Sequence, residues 1–172
     1  CMLLFGAGLD TVTNTLSLTM EHIARDPALQ DRLRAQPHMI PEAVEELMRL
    51  YDVTLSVRRV GRDAEFHGVA MKADDRVLLV NANGDTDPAV YPDGDRFDLD
   101  RANKTHLVFG IGPHRCAGAH LARLEFRIFL EQWFRLMPNV RLDPARPVQY
   151  RYTLLLSAEN LDLLWDPAKV VT

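Results

Sequence analysis

The feature that most constrains this chain is one cysteine at the end of a glycine-rich turn, followed directly by a long amphipathic segment. Residues 107–118 read Leu-Val-Phe-Gly-Ile-Gly-Pro-His-Arg-Cys-Ala-Gly. Gly110, Gly112 and Pro113 permit a sharp turn in which backbone N–H groups can point inward. A helix that starts just after Cys116 places its positive dipole end beside the sulfur. Both features favour thiolate over thiol. A thiolate beneath backbone donors suits an iron ligand better than an exposed nucleophile. A cysteine beside glycines is usually no more than a small buried hydrophobe. The residues around this one set it apart.

The rest of the chain is mostly helical in pattern. Residues 1–25 read as one helix, with Leu9, Val12, Leu16, Met20 and Ile23 at helical spacing. Gly8 and Thr11 weaken its middle, since threonine can bond back to a carbonyl one turn earlier. Asp26 and Pro27 end it and begin a second helix, Asp26 as N-cap and Pro27 at the first helical position. Residues 41–51 form a third, with Val44, Leu47 and Met48 on its buried side. Glu46 and Arg49 lie three apart and share a face, a pair worth about 0.3–0.5 kcal/mol if exposed. Residues 55–60 and 65–71 are β-like and flank Gly61-Arg62-Asp63, which predicts a hairpin. Residues 76–81 predict a buried strand. Arg58 and Arg59 are adjacent in a strand pattern and face opposite ways. Residues 83–101 are rich in Asp, Pro and Gly and read as a solvated loop. Residues 118–136 form the helix after the cysteine, with Leu121, Leu124, Ile128 and Leu136 as its apolar stripe. Pro138 stops it, and residues 140–165 read as short strands and turns.

At 172 residues the chain is long enough for one sizeable core. A net charge of −4 speaks against bulk nucleic-acid binding. Cys1 and Cys116 cannot build a disulfide framework, so a reducing cytoplasm fits. The apolar opening is too short to span a bilayer and is interrupted by Asp10, so no membrane partner is expected. No signal peptide is visible. No Cys/His pairs stand at finger-like spacing, which disfavours zinc. The chain opens inside a helical pattern without an N-cap, so residues 1–172 are expected to be the C-terminal part of one longer domain.

The order Phe109, Gly112, His114, Cys116, Gly118 resembles the haem-binding loop of the haem-thiolate monooxygenases, the cytochrome P-450 family. Two further motifs agree: Ala7-Gly8-Leu9-Asp10-Thr11, and Glu46-Leu47-Met48-Arg49 well ahead of the cysteine. The resemblance covers the whole chain. It extends to the bacterial camphor-hydroxylating members through Glu65-Phe66-His67-Gly68-Val69 and Trp165-Asp166-Pro167-Ala168.

The resemblance implies a mainly α fold with small β segments, the haem-binding C-terminal portion of the cytochrome P-450 fold. It makes Cys116 the ligand to the iron of haem b (iron protoporphyrin IX), with Phe109 and Gly118 shaping the cofactor pocket. Arg58 and His114 become propionate partners, since a guanidinium suits a carboxylate. Asp10 and Thr11 become the catalytic acid–alcohol pair that relays protons during oxygen activation. Glu46, Arg49 and His106 form a buried structural network that ties the third helix to the haem loop. Leu3, Gly6, Thr54, Leu154 and Leu155 line the substrate pocket; Gly6 enlarges it and Thr54 adds a hydroxyl. The implied reaction hydroxylates a small apolar, terpenoid-sized substrate with O₂, though camphor itself is not carried over. Two electrons come from an iron–sulfur ferredoxin, because no flavin or nicotinamide fingerprint occurs here. Arg115, Arg123 and Arg127 suit an acidic donor approaching the cysteine side. The open alternatives are a haem protein without monooxygenase activity, peroxide-using or a carrier, and an inert structural module. The intact Asp10-Thr11 pair speaks against the first.

Overall fold

Asp26 does locally what its position predicts. In the computed structural model, which describes residues 2–166 apart from the side chains of Leu3 and Leu4, its carboxylate accepts the Leu29 N–H at 2.9 Å. That cap separates α1 (Met2–Arg25) from α2 (Pro27–Ala35), where Pro27 needs no donor at the first position. A single 3₁₀ turn, Pro37–Met39, leads into α3 (Ile40–Leu50). α1 runs unbroken through Gly6 and Gly8. Cys1, the side chain of Leu3 and the Pro167-Ala168 end of the closing motif lie outside the described residues.

The core forms where α1, α2 and α3 meet the long helix after the cysteine. Ile23, Leu33, Leu47 and Leu130 are fully enclosed, with Met20, Val44, Phe126 and Phe134 around them. Each such side chain contributes roughly 1.5–3 kcal/mol on burial. Gln30 stitches distant parts of this core together. Its amide donates to the carbonyls of Ile23 and Val140, both at 2.8 Å, and its oxygen accepts the Val140 N–H at 3.1 Å.

The β segments depart from the expected hairpin. β1 (Ser56–Arg59) does not pair with the strand beyond residues 61–63. Instead β2 (Ala64–Phe66) and β3 (Val69–Met71) pair with each other, and β1 pairs antiparallel with β4 (Arg76–Leu79) outside them. The turn residues decide this. His67 and Gly68 have φ of 48° and 79°, which is the two-residue turn that matches strand twist. β4 is also largely exposed rather than buried in this chain, with Leu78 and Leu79 both open to solvent.

After β4 come a one-turn helix, α4 (Asn81–Asp85), and an irregular stretch to the cysteine loop. α5 (Ala119–Leu136) completes the helices. Its predicted apolar stripe is the wrong side of the helix. Leu121, Leu124, Ile128 and Leu136 are exposed, whereas Ala119, Phe126, Leu130 and Phe134 are buried. Both sets recur at helical spacing, and packing against α3 selects the aromatic one. The chain ends in two small ladders: β5 (Arg141–Leu142) with β8 (Leu163–Leu164), and β6 (Tyr150–Tyr152) with β7 (Leu156–Ala158). Among the described residues, no helix is long and apolar enough to cross a membrane.

Candidate functional site

The cysteine loop is built from its own backbone. Gly110 and Gly112 adopt φ of 66° and 73°, a region that side chains resist, so the turn needs glycine at both. The Gly110 N–H donates to the Leu107 carbonyl at 2.6 Å, and the Cys116 N–H donates to the Phe109 carbonyl at 2.8 Å. The loop therefore returns on itself before α5 begins. The helix starts at Ala119, with Gly118 as N-cap and no side-chain cap. A Cβ on Gly118 would stand 3.8 Å from the Cys116 sulfur, so the thiol lies against the helix N-terminus. The Gly110, Arg115 and Cys116 N–H groups bond within the loop, and Cys116 is exposed. The loop lies at the surface of the described residues.

Two adjacent acids on α3 organise the chain around this loop. Glu46 and Arg49 are both completely buried and pair in a fork, at 2.9 and 2.8 Å. Arg49 also donates to the carbonyls of Asp85 (2.5 Å), Gly94 (2.7 Å) and Arg96 (3.2 Å), and stands over the Tyr91 ring. Glu46 accepts from the Asp98 N–H at 3.1 Å and from Arg101 at 2.9 Å. The third member of this network is thus Arg101, not His106. His106 pairs with Glu45 at 3.1 Å, because consecutive helical residues point about 100° apart. Glu45 was not singled out by the sequence; an acid next to Glu46 was its only signal. It also receives Arg123 at 2.6 and 2.9 Å. Burial pushes the Glu45 carboxyl up, but the His106 and Arg123 hydrogen bonds outweigh it and hold the group at about 2. Phe109 of the loop sits between the same two partners, 4.6 Å under the Arg123 guanidinium and 5.6 Å from the His106 ring. Arg123 is therefore committed to the loop's support and is not a free docking cation. Arg127 pairs loosely with Glu131 at 3.4 Å, and Arg115 is exposed beside the cysteine.

α1 faces the loop from the other side. Thr11, Val12 and Thr15 of α1 line one cavity with Val108 and Phe109 of the loop and with Met48, Ala122 and Phe126. Thr11 donates its hydroxyl proton to the Ala7 carbonyl at 2.6 Å, the back-bond its position allows. Asp10, the preceding residue, is exposed. Thr54, Leu154 and Leu155 are brought together by backbone pairing: Thr54 bridges Leu155, and the Leu55 N–H donates to the Leu154 carbonyl at 3.1 Å. The Thr54 hydroxyl, however, donates to Asp52 at 2.7 Å. Gly6 has open space around the position of a Cβ. Arg58 and His114 are both exposed. Arg59 pairs with Asp74 at 3.1 Å, while Arg58 faces no carboxylate among the described residues and donates to the Val57 carbonyl.

The donor set suits haem. No group of three His, Cys, Asp or Glu residues among those described could hold a bare metal ion. Cys116 would supply the one protein donor that a haem iron needs from this loop. Ile111 of the loop is apolar and exposed, and Phe109 is half-buried.

Comparison with known proteins agrees with this geometry. The chain is 38% identical to a probable cytochrome P450 127A1 of Sinorhizobium fredii, over 92% of this chain and 38% of that protein. It is 32% identical to a steroid C26-monooxygenase of Mycolicibacterium smegmatis, over 99% of this chain and 43% of that one. The crystal structure of CYP101J2 superposes with a TM-score of 0.88 at 39% identity, over 93% of this chain and 41% of its own. The chain spans about two fifths of the length of these relatives. The family model for cytochrome P450 matches residues 36–137, and the chain belongs to that family.

Proposed function

We propose that this chain supplies both faces of the haem site of a monooxygenase, with Cys116 as the iron ligand and Asp10 and Thr11 as the proton-handling pair. The observation that carries this reading is the loop itself, whose two positive-φ glycines leave Cys116 exposed against the start of α5, with Thr11 of α1 and Phe109 of the loop lining one small cavity. Haem b held at this cysteine supplies reduction of O₂ and insertion of one oxygen atom into a C–H bond, with the other leaving as water.

The protein's own residues do the rest. The Gly118 N-cap and the start of α5 stand against the Cys116 sulfur. Thr11 gives its proton to the Ala7 carbonyl, so its oxygen is left as an acceptor that can hold a water molecule. Exposed Asp10 can exchange protons with solvent next to it. Arg58 and His114 hold the two propionates. Leu154, Leu155 and Thr54 form an apolar wall, since the Thr54 hydroxyl is turned to Asp52, and Gly6 of α1 adds no side chain to the pocket. That wall suits a small apolar, terpenoid-sized substrate, and one relative is a steroid C26-monooxygenase. Exposed Arg115 and Arg127 suit an acidic iron–sulfur ferredoxin as electron donor, in a cytoplasmic setting.

The test is the reduced, carbon-monoxide-bound absorption spectrum of the full-length protein. A Soret band at the red-shifted position of thiolate-ligated haem is expected for wild type and should vanish in Cys116→His. A wild-type band at the ordinary histidine-type position, or none, would overturn the reading.

A further inference from the structure

We propose that Asp85 is a positioning residue for the cysteine loop, holding Leu107, the first residue of that loop, through its side-chain carboxyl; this rests on the reading of Cys116 as the haem ligand. Asp85 ends α4 and is completely buried. Its Oδ1 accepts the Leu107 N–H at 2.6 Å, a short bond of the kind a carboxylate makes to a backbone amide. The rest of α4 lies against the same residue. Asn81 reaches the Leu107 carbonyl at 3.5 Å, and a Cβ on Gly84 would stand 2.9 Å from Leu107 Cδ1.

From Leu107 the hold passes along the loop. The Leu107 carbonyl accepts the Gly110 N–H where the chain takes its first positive φ, and two residues on from Leu107 the Phe109 carbonyl accepts the Cys116 N–H. In the other direction, the Asp85 carbonyl is fixed by Arg49. Asp85 therefore joins the buried Glu46–Arg49 pair to the cysteine, with its backbone on one side and its side chain on the other. Its second oxygen, Oδ2, has no hydrogen-bond partner among the described residues. Such a group is costly to bury, and a specific task accounts for it. His106, Asp52, Arg49 and Tyr91 are the ionisable groups in electrostatic reach of the carboxyl.

The test compares Asp85→Ala and Asp85→Asn with wild type in the full-length protein, by amide hydrogen exchange and by the reduced carbon-monoxide spectrum. Alanine removes the acceptor and is expected to speed exchange in residues 107–118 at least tenfold, with α3 and the buried part of α5 unchanged. It should also move part of the spectrum from the thiolate position to the ordinary one. Asparagine keeps an acceptor in the same place and should hold exchange within threefold of wild type. Unchanged exchange in the alanine protein, or an equal rise throughout the chain, would overturn the proposal. If the alanine protein cannot be recovered, wild-type exchange of the Leu107 amide at the rate of a free amide would overturn it, and strong protection of that amide would support it. A wild type without the red-shifted band, whose loop exchange still responds to alanine, would sustain the hold on Leu107 and overturn the haem reading instead.

Discussion

Glu45 and Glu46 are consecutive on α3, yet they hold different parts of the chain: Glu45 the support of the cysteine loop, Glu46 the irregular segment before it. Glu46 turns to Arg49 and Arg101 and so gathers the irregular chain of residues 92–98. Glu45 turns to His106 and Arg123, between which Phe109 of the loop is held. One helical step of about 100° separates the two tasks.

Removing Glu46 leaves the Arg49 guanidinium buried without its counter-charge. Glu46→Leu is expected to cost about 3–5 kcal/mol in urea unfolding of the full-length protein. The double variant Glu46→Leu, Arg49→Leu should recover little. Arg49 also serves the carbonyls of Asp85, Gly94 and Arg96, which would lose their donor. Recovery to near wild type would show that these carbonyl bonds contribute little.

Arg115 and Arg123 look alike in the sequence and should behave differently. Arg123→Ala loses a two-pronged bond to Glu45 and the stack on Phe109, and should destabilise the protein by about 1–3 kcal/mol. Arg115→Ala should leave stability unchanged and slow reduction by an acidic donor, with a weaker dependence on salt. Stopped-flow reduction and thermal melting separate the two; equal melting points would contradict the assignment of Arg123.

Thr11→Ala removes the hydroxyl proposed to hold water beside the site. The full-length variant should consume O₂ and reducing equivalents at a comparable rate while product per O₂ falls roughly tenfold, a barrier change of about 1.4 kcal/mol on the productive branch. Thr11→Ser should restore coupling. Alanine costs α1 nothing, being the better helix former. Unchanged coupling in the alanine protein would remove Thr11 from proton handling.

Half-buried Glu45 and buried Asp85 give opposite pH dependences. Hydrogen bonds hold folded Glu45 at about 2 against an ordinary 4.5, so its contribution is present above 4.5 and lost as pH falls through 2. Burial raises folded Asp85 to about 6 from an ordinary 3.8, only partly offset by the Leu107 N–H and His106. Its neutral form is preferred in the fold, so stability present below 3.8 is lost as pH rises through 6. Asp85→Asn should therefore be more stable than wild type by about 1–3 kcal/mol at pH 8, with the difference closing below pH 4. A gap of the same size at both pH values, measured by urea unfolding, would mean that ionisation of Asp85 is not its origin.

Much of the site was legible because its signals are local. The cap at Asp26, the stop after α5, the glycine turn before Cys116 and the three-residue spacing of Glu46 and Arg49 each depend on a few consecutive residues. The apolar pattern placed α3 and α5 to within a residue at each end. The small hairpins were less legible. Gly61-Arg62-Asp63 and His67-Gly68 are both plausible turns, and only the second has the positive φ pair that closes two strands.

By itself, then, the sequence determined the elements, the cysteine loop with its glycines, and the acid–alcohol and Glu–Arg motifs. Hydrogen bonds between near neighbours and the 3.6-residue period act over one or two turns of chain. The tertiary structure alone decided which face of α5 is buried, that His106 answers Glu45 across 61 residues, and that Arg123 is held by the same acid across 78. It alone picked Asp85 out of the many aspartates of its loop, as the one whose carboxyl meets Leu107. Partners that far apart in sequence meet only through the packing of α3 against α4 and α5, and no local pattern carries that information.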